Sequence, residues 1–122
     1  MRKEQRDVTV YDELVGHKAL KVYQVGDDEL HFELENGDHY HFYHEQDCCE
    51  SVYIEDICGE LEYLQGETIN IAEETSDTDS TDWGTITFTF YKFATPKGYV
   101  TIRWCGESNG YYSESVDFER IA

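Results

Sequence analysis

ELHFELENGDHYHFYH, residues 29–44, is the stretch whose reading decides how this chain folds. In its first half Leu30, Phe32 and Leu34 alternate with His31, Glu33 and Glu35; in its second, Tyr40 and Phe42 alternate with His39, His41 and Tyr43. A period of two marks a strand with one face buried and the other in water. Asn36-Gly37 between the halves signals a hairpin. A two-residue turn would set Phe32 against His41 and leave an apolar side chain opposite a polar one all along the pair. A three-residue loop at 35–37, with Gly37 left-handed, instead sets Phe32 opposite Tyr40 and Leu30 opposite Phe42. Burial selects the second register, because a slip of one residue turns the whole apolar set out to solvent. The same register places His31 opposite His41, and Glu33 opposite His39, on the outer face.

Outward from this hairpin the pattern stays strand-like. Residues 17–25 read as a strand that ends in the turn Gly26-Asp27-Asp28. Residues 1–13 mix charge with a short apolar alternation at Val8 and Val10, read as an edge strand or an arm, with 1–7 as a flexible arm. After DCCE at 47–50, the apolar positions Ile54, Ile57, Cys58, Leu61 and Leu64 fall at helical spacing and predict a short helix over 54–65, closed by Gly66. Gly59 inside it would cost about 1 kcal/mol against Ala. Residues 68–72 form a short strand, and 75–83, rich in Thr, Ser and Asp, a flexible acidic loop. Strands over 85–93, 98–105 and 111–121 follow as a meander turning at 95–98 and 108–110. Its last turn is expected to pair Ile102 with Val116 and Val100 with Phe118, with Arg103 opposite Ser115 and diagonal to Asp117. The fold class is therefore α+β: a single domain over 1–122, mainly an antiparallel sheet of six to eight strands, with one short helix.

The chain's net charge is −18. From residue 22 to residue 91 there are 19 Asp or Glu and no Lys or Arg, so the middle of the molecule carries a negative field with no cation of its own. Direct contact with nucleic acid is disfavoured, because phosphates need a basic patch, and a basic protein partner is favoured. No apolar run approaches the ~18 residues of a membrane span, and MRKEQRD lacks the apolar segment of a signal peptide. The expected setting is cytosolic, where Cys48, Cys49, Cys58 and Cys105 stay reduced.

Five constellations carry chemistry. His31, His39 and His41 share an outer face beside Glu33, and His44, Cys48 and Cys49 follow; imidazole and thiolate suit Zn²⁺, yet the spacing matches no paired CxxC or HxxxH pattern, so no metal or other cofactor is assigned. Cys48 or Cys49 with His44 as base would make a thiol nucleophile, but Asp47 and Glu50 work against a thiolate, and a packed corner is the simpler reading. Asp77, Asp79 and Asp82 have a calcium-like spacing, with Asp82 standing where a calcium loop needs Gly. The acidic surface itself can imitate a row of phosphates, with Asp27, Asp28, Glu29, Glu33, Glu35, Glu55, Glu60, Glu62, Glu73 and Glu74 supplying the field. Tyr111 and Tyr112, in GESNGYYSESVDF, offer contact area at low entropic cost.

Residues 43–64, YHEQDCCESVYIEDICGELEYL, together with 90–118, FYKFATPKGYVTIRWCGESNGYYSESVDF, resemble a small domain family of unknown function encoded by bacteriophages and bacteria. The resemblance covers most of the chain after about residue 14. It implies a phage or prophage setting and a β-rich single domain, and it carries no catalytic role. The reading that follows is a non-enzymatic phage protein that binds a basic host protein, such as a CRISPR nuclease, and blocks its nucleic-acid channel. The alternatives are a metal-dependent or cysteine enzyme centred on His44, Cys48 and Cys49, and a structural or housekeeping phage protein.

Overall fold

The computed structural model describes residues 2–3 and 9–122, and the expected arm at 1–7 otherwise lies outside them. The described chain forms two antiparallel sheets packed face to face. The first joins β1 (Arg2–Lys3), β2 (Thr9–Val10), β6 (Ser51–Cys58), β7 (Ile71–Ser80), β8 (Thr85–Thr95) and β9 (Gly98–Ser108) in the order β1-β7-β8-β9-β6, with β2 also on β7. The second joins β3 (Ala19–Val25), β4 (Glu29–Leu34), β5 (His39–Tyr43) and β10 (Asp117–Arg120) in the order β10-β5-β4-β3.

The β4–β5 register is the one that burial selects: Phe32 opposite Tyr40, Leu30 opposite Phe42, His31 opposite His41 and Glu33 opposite His39. Gly37 closes the loop at φ 96°, a conformation that glycine adopts without steric cost. The buried set then meets its counterpart across the sandwich. The Phe42 ring lies 4.6 Å from Tyr91 and Phe32 lies 5.0 Å from Phe93, centroid to centroid, while Phe118, on the next strand of the same sheet, lies 4.7 Å from Phe42. Trp104, Ile102, Val100 and Leu14 complete a core that is fully closed to solvent.

Four expectations are corrected. The helix over 54–65 is absent: 51–58 is strand β6, and only Leu61–Leu64 makes one 3₁₀ turn, so among the described residues the fold is all-β with no α-helix. The cause is a bulge. Ile54 pairs with Trp104 and Asp56 with Arg103, leaving Glu55 as an extra residue. Val52 and Ile54 are two apart, but the bulge puts Ile57 three further on, which mimics helical spacing. Gly59 breaks the chain at φ 103°, where a Cβ would come within 2.8 Å of the Tyr99 carbonyl.

The second correction concerns 75–83. Residues through Ser80 continue β7 against β8, and only 81–84 turn, so Asp77 and Asp79 sit in a strand rather than in a cation-binding loop. β-Branched threonines suit this pairing, and Thr78 and Thr87 bond across it at 3.0 Å. The third concerns the C-terminal meander. β8 and β9 pair through the expected turn, but 109–116 is loop, and β10 crosses to the other sheet to pair with β5, Phe118 opposite Phe42. Val116 and Phe118 therefore pair with neither Ile102 nor Val100, and Arg103 faces Asp56 and Phe90 and forms an ion pair with Glu55 at 2.8 Å. Last, Cys48 and Cys49 are joined as a disulfide between neighbours rather than held as thiols, while Cys58 and Cys105 remain free.

Candidate functional site

Strand geometry divides the metal candidates into two groups. On the outer face of the second sheet, β4 and β5 bring together Glu29, His31, His39 and His41. His31 Nε2 lies 2.7 Å from Glu29 Oε1, and its Nδ1 lies 2.8 Å from His39 Nε2. His41 Nδ1 stands 3.8 Å from the same Glu29 oxygen, and its Nε2 lies 3.4 Å from Glu119 Oε2 on β10. Two tyrosines cover the rings. Tyr23 stacks on His31 at 5.1 Å and donates to Glu33, and Tyr43 stacks on His41 at 4.3 Å. Burial, with Glu33 beside Tyr23 and Glu119 beside Tyr43, raises both phenols above their usual range.

The other group, His44 with Cys48 and Cys49, forms the corner between β5 and β6. Glu50 is buried there, accepting from the Asp47 N–H at 2.8 Å, the Cys48 N–H at 3.0 Å and His44 Nε2 at 2.7 Å. The Cys48 amide foremost, with His44 and the Asp47 amide, holds the Glu50 carboxyl down to about 2 against the opposition of burial. His44 Nδ1 faces the Ser115 carbonyl at 2.7 Å, so both ring nitrogens point at acceptors. Neither nitrogen faces a sulfur, and the cysteines are bonded to each other; the nucleophile–base pair that a thiol enzyme needs is not assembled here. A cleft of about 400 Å³ opens beside the corner, lined by His44, Glu45, Gln46, Asp47, Ser115 and Asp117 among others.

The acidic residues do not form one plate. Glu29 and Glu33 lie on the outer face of the second sheet, and Asp27 and Asp28 in the β3–β4 turn. Glu35 occupies the β4–β5 loop, at the opposite end from that turn, and Glu60 and Glu62 flank or enter the 3₁₀ turn. Glu55 is held by Arg103, Glu73 pairs in register with Lys92, and Glu74 accepts from the half-buried Tyr11 hydroxyl. One end of the sandwich is formed by the connections 26–28, 44–50, 81–84 and 109–116. These are tied together by His44 to Ser115 and by Glu114 to Thr85, Thr87 and Ser108. They carry Asp27, Asp28, Glu45, Asp47 and Asp82 at the surface, and no Lys or Arg. Trp83 and Tyr111 are 58% and 83% exposed there, and Tyr112 meets Tyr111 edge-on at 5.0 Å. Lys18, Lys97 and the Arg120–Asp38 pair lie at the other end.

Sequence reasoning missed Glu50, Glu114, Glu119 and Trp83. Glu50 and Glu114 look like any other acid in a chain this acidic; only their buried positions, 4% and 8% exposed, set them apart. Glu119 reaches His41 through the β5–β10 pairing, for which no local signal exists. Among the described residues no helix is long and apolar enough to cross a membrane. Compared with curated proteins and with solved structures, the chain matches none. Residues 12–118 match a family described as a domain of unknown function, DUF7448, and the chain belongs to that family.

Proposed function

We propose that the chain is a binding protein rather than an enzyme, and that it sets the acidic end of its sandwich against a basic surface of a protein partner. One observation carries the reading. Four connections that converge at one end present Asp27, Asp28, Glu45, Asp47 and Asp82 around the exposed Trp83 and Tyr111, with no cation among them. Carboxylates so placed steer a basic partner into encounter, and aromatic side chains then supply the buried anchors of an interface. A nucleic-acid-handling enzyme of host defence, such as a CRISPR nuclease, has the required chemistry, since its channel is built to hold phosphates. The phage or prophage setting suggested by the sequence motifs accords with such a target. This reading replaces the uniform anionic plate with a polarised one, in which the basic residues Lys18, Lys97 and Arg120 lie away from the contact.

The test is capture from bacterial lysate at low and at high ionic strength, comparing wild type with an Asp27→Asn/Asp28→Asn/Asp47→Asn/Asp82→Asn variant. Wild type should retain a basic nucleic-acid-binding protein at low salt, release it at high salt, and displace nucleic acid from it. The neutralised variant should retain none. Equal capture by both proteins would refute the reading, as would capture of nothing by either, the result expected of a structural or housekeeping protein.

A further inference from the structure

We propose that Glu29, His31 and His41 form a transition-metal site, suited to Zn²⁺, on the outer face of the second sheet. The inference is independent of the partner-binding reading. Glu29, His31 and His41 each offer one ligand atom, and these three atoms all lie within 4.8 Å of one another. In a tetrahedral zinc site with ligand bonds of ~2.0–2.2 Å, neighbouring donors stand about 3.3 Å apart. The observed separations, 2.7 Å from Glu29 to His31 and 3.8 Å from Glu29 to His41, bracket that edge.

Three further features point to a ligand. His41 Nδ1 is buried with no hydrogen-bond partner, 3.8 Å from the Glu29 carboxylate. A nitrogen left in that state is costly unless something binds it. Each ligating histidine also has an acceptor for its remaining ring N–H: His31 Nδ1 lies 2.8 Å from His39 Nε2, and His41 Nε2 lies 3.4 Å from Glu119 Oε2. Such outer partners fix the tautomer and aim the ring of a metal-bound histidine, which makes His39 and Glu119 positioning residues. The ring planes are set in turn by stacking, His31 on Tyr23 and His41 on Tyr43, and by the β4–β5 register that holds His31 opposite His41.

Access is one-sided. The side chains of His31 and His41 are 10% and 15% exposed and that of Glu29 is 38% exposed. A cation therefore enters from the carboxylate side, and the two imidazoles and one carboxylate leave a fourth position for water. That donor set and that vacancy belong to zinc sites that remain open rather than to closed structural ones.

The experiment uses tag-free, full-length protein stripped with a chelator, titrated with Zn²⁺ by calorimetry and with Co²⁺ by visible absorption. One ion should bind per chain, with the intense visible bands of four-coordinate Co²⁺. His41→Ala and Glu29→Gln should each weaken Zn²⁺ binding by at least about 10- to 100-fold, the loss that follows removal of even an outer hydrogen-bond partner. Glu29→Gln keeps the shape of a half-exposed side chain, so it decides the matter should His41→Ala fail to fold. Cys48→Ser/Cys49→Ser should bind Zn²⁺ as wild type does. Absence of stoichiometric binding, undiminished binding by Glu29→Gln, or loss of binding in the double cysteine variant would each overturn the assignment.

Discussion

His41 and His44 are three residues apart, each faces a glutamate, and the fold treats them in opposite ways. His44 has an acceptor at each nitrogen, Glu50 and the Ser115 carbonyl, both at 2.7 Å, and its Glu50 partner also takes two backbone N–H groups. His41 has one weak contact to Glu119 and one nitrogen with no hydrogen bond at all. The first arrangement is complete, and its hydrogen bonds are used to close the β5–β6 corner. The second retains binding capacity that the chain itself does not consume. The same pair of residue types is thus structural where its valences are filled and available where they are not.

The largest test of this contrast is stability. His44→Ala should cost about 2–3 kcal/mol, the scale of hydrogen bonds to charged groups, read as a shift in the urea midpoint at unchanged slope. His41→Ala should stay within about 1 kcal/mol in the absence of metal. Equal losses would erase the distinction. A second test is acid unfolding. The fold holds the Glu50 carboxyl at about 2 against its usual 4.5, so protonation is resisted in the folded state. The stabilisation from this group is complete above about pH 4.5 and declines as pH falls toward 2. Glu50→Gln should flatten the stability profile across that window. The smallest expected effect is that of Tyr23→Phe, which removes the hydroxyl bonded to Glu33 but keeps the ring over His31. About 0.5–1 kcal/mol is the expected loss by thermal melt, and a larger one would mean that the outer face is structural after all.

The parts of this architecture that could be read in the sequence are those where burial and local turn chemistry agree. The β4–β5 hairpin was legible down to individual pairs because Leu30, Phe32, Tyr40 and Phe42 could all face inward in only one register. The gathering of His31, His39 and His41 followed from it. Strand β6 was not legible, since the bulge at Glu55 broke the period of two and left Ile54 and Ile57 at a helix-like interval. β10 was misplaced because a neighbouring hairpin is the default for a turn such as Asn109-Gly110. The competing force was the Glu114 carboxylate, bonded to Thr85, Thr87 and Ser108, which draws the chain over the end of the first sheet and delivers Phe118 to Phe42. The end whose acids have no cation among them likewise depended on which connections share an end, a property of the sandwich rather than of any one segment.

The bulge at Glu55 has one more effect. Sheet edges invite other strands, and here β6 is kinked by Glu55, β3 is interrupted between Ala19 and Lys21, and β10 is only four residues long. Mutual repulsion of a chain at −18 keeps copies apart in dilute buffer, and concentrated salt removes that protection. The irregular margins do not depend on ionic strength, so the protein should stay monodisperse in molar salt by light scattering, and excising Glu55 to straighten the margin should let copies stack into ribbons under the same conditions.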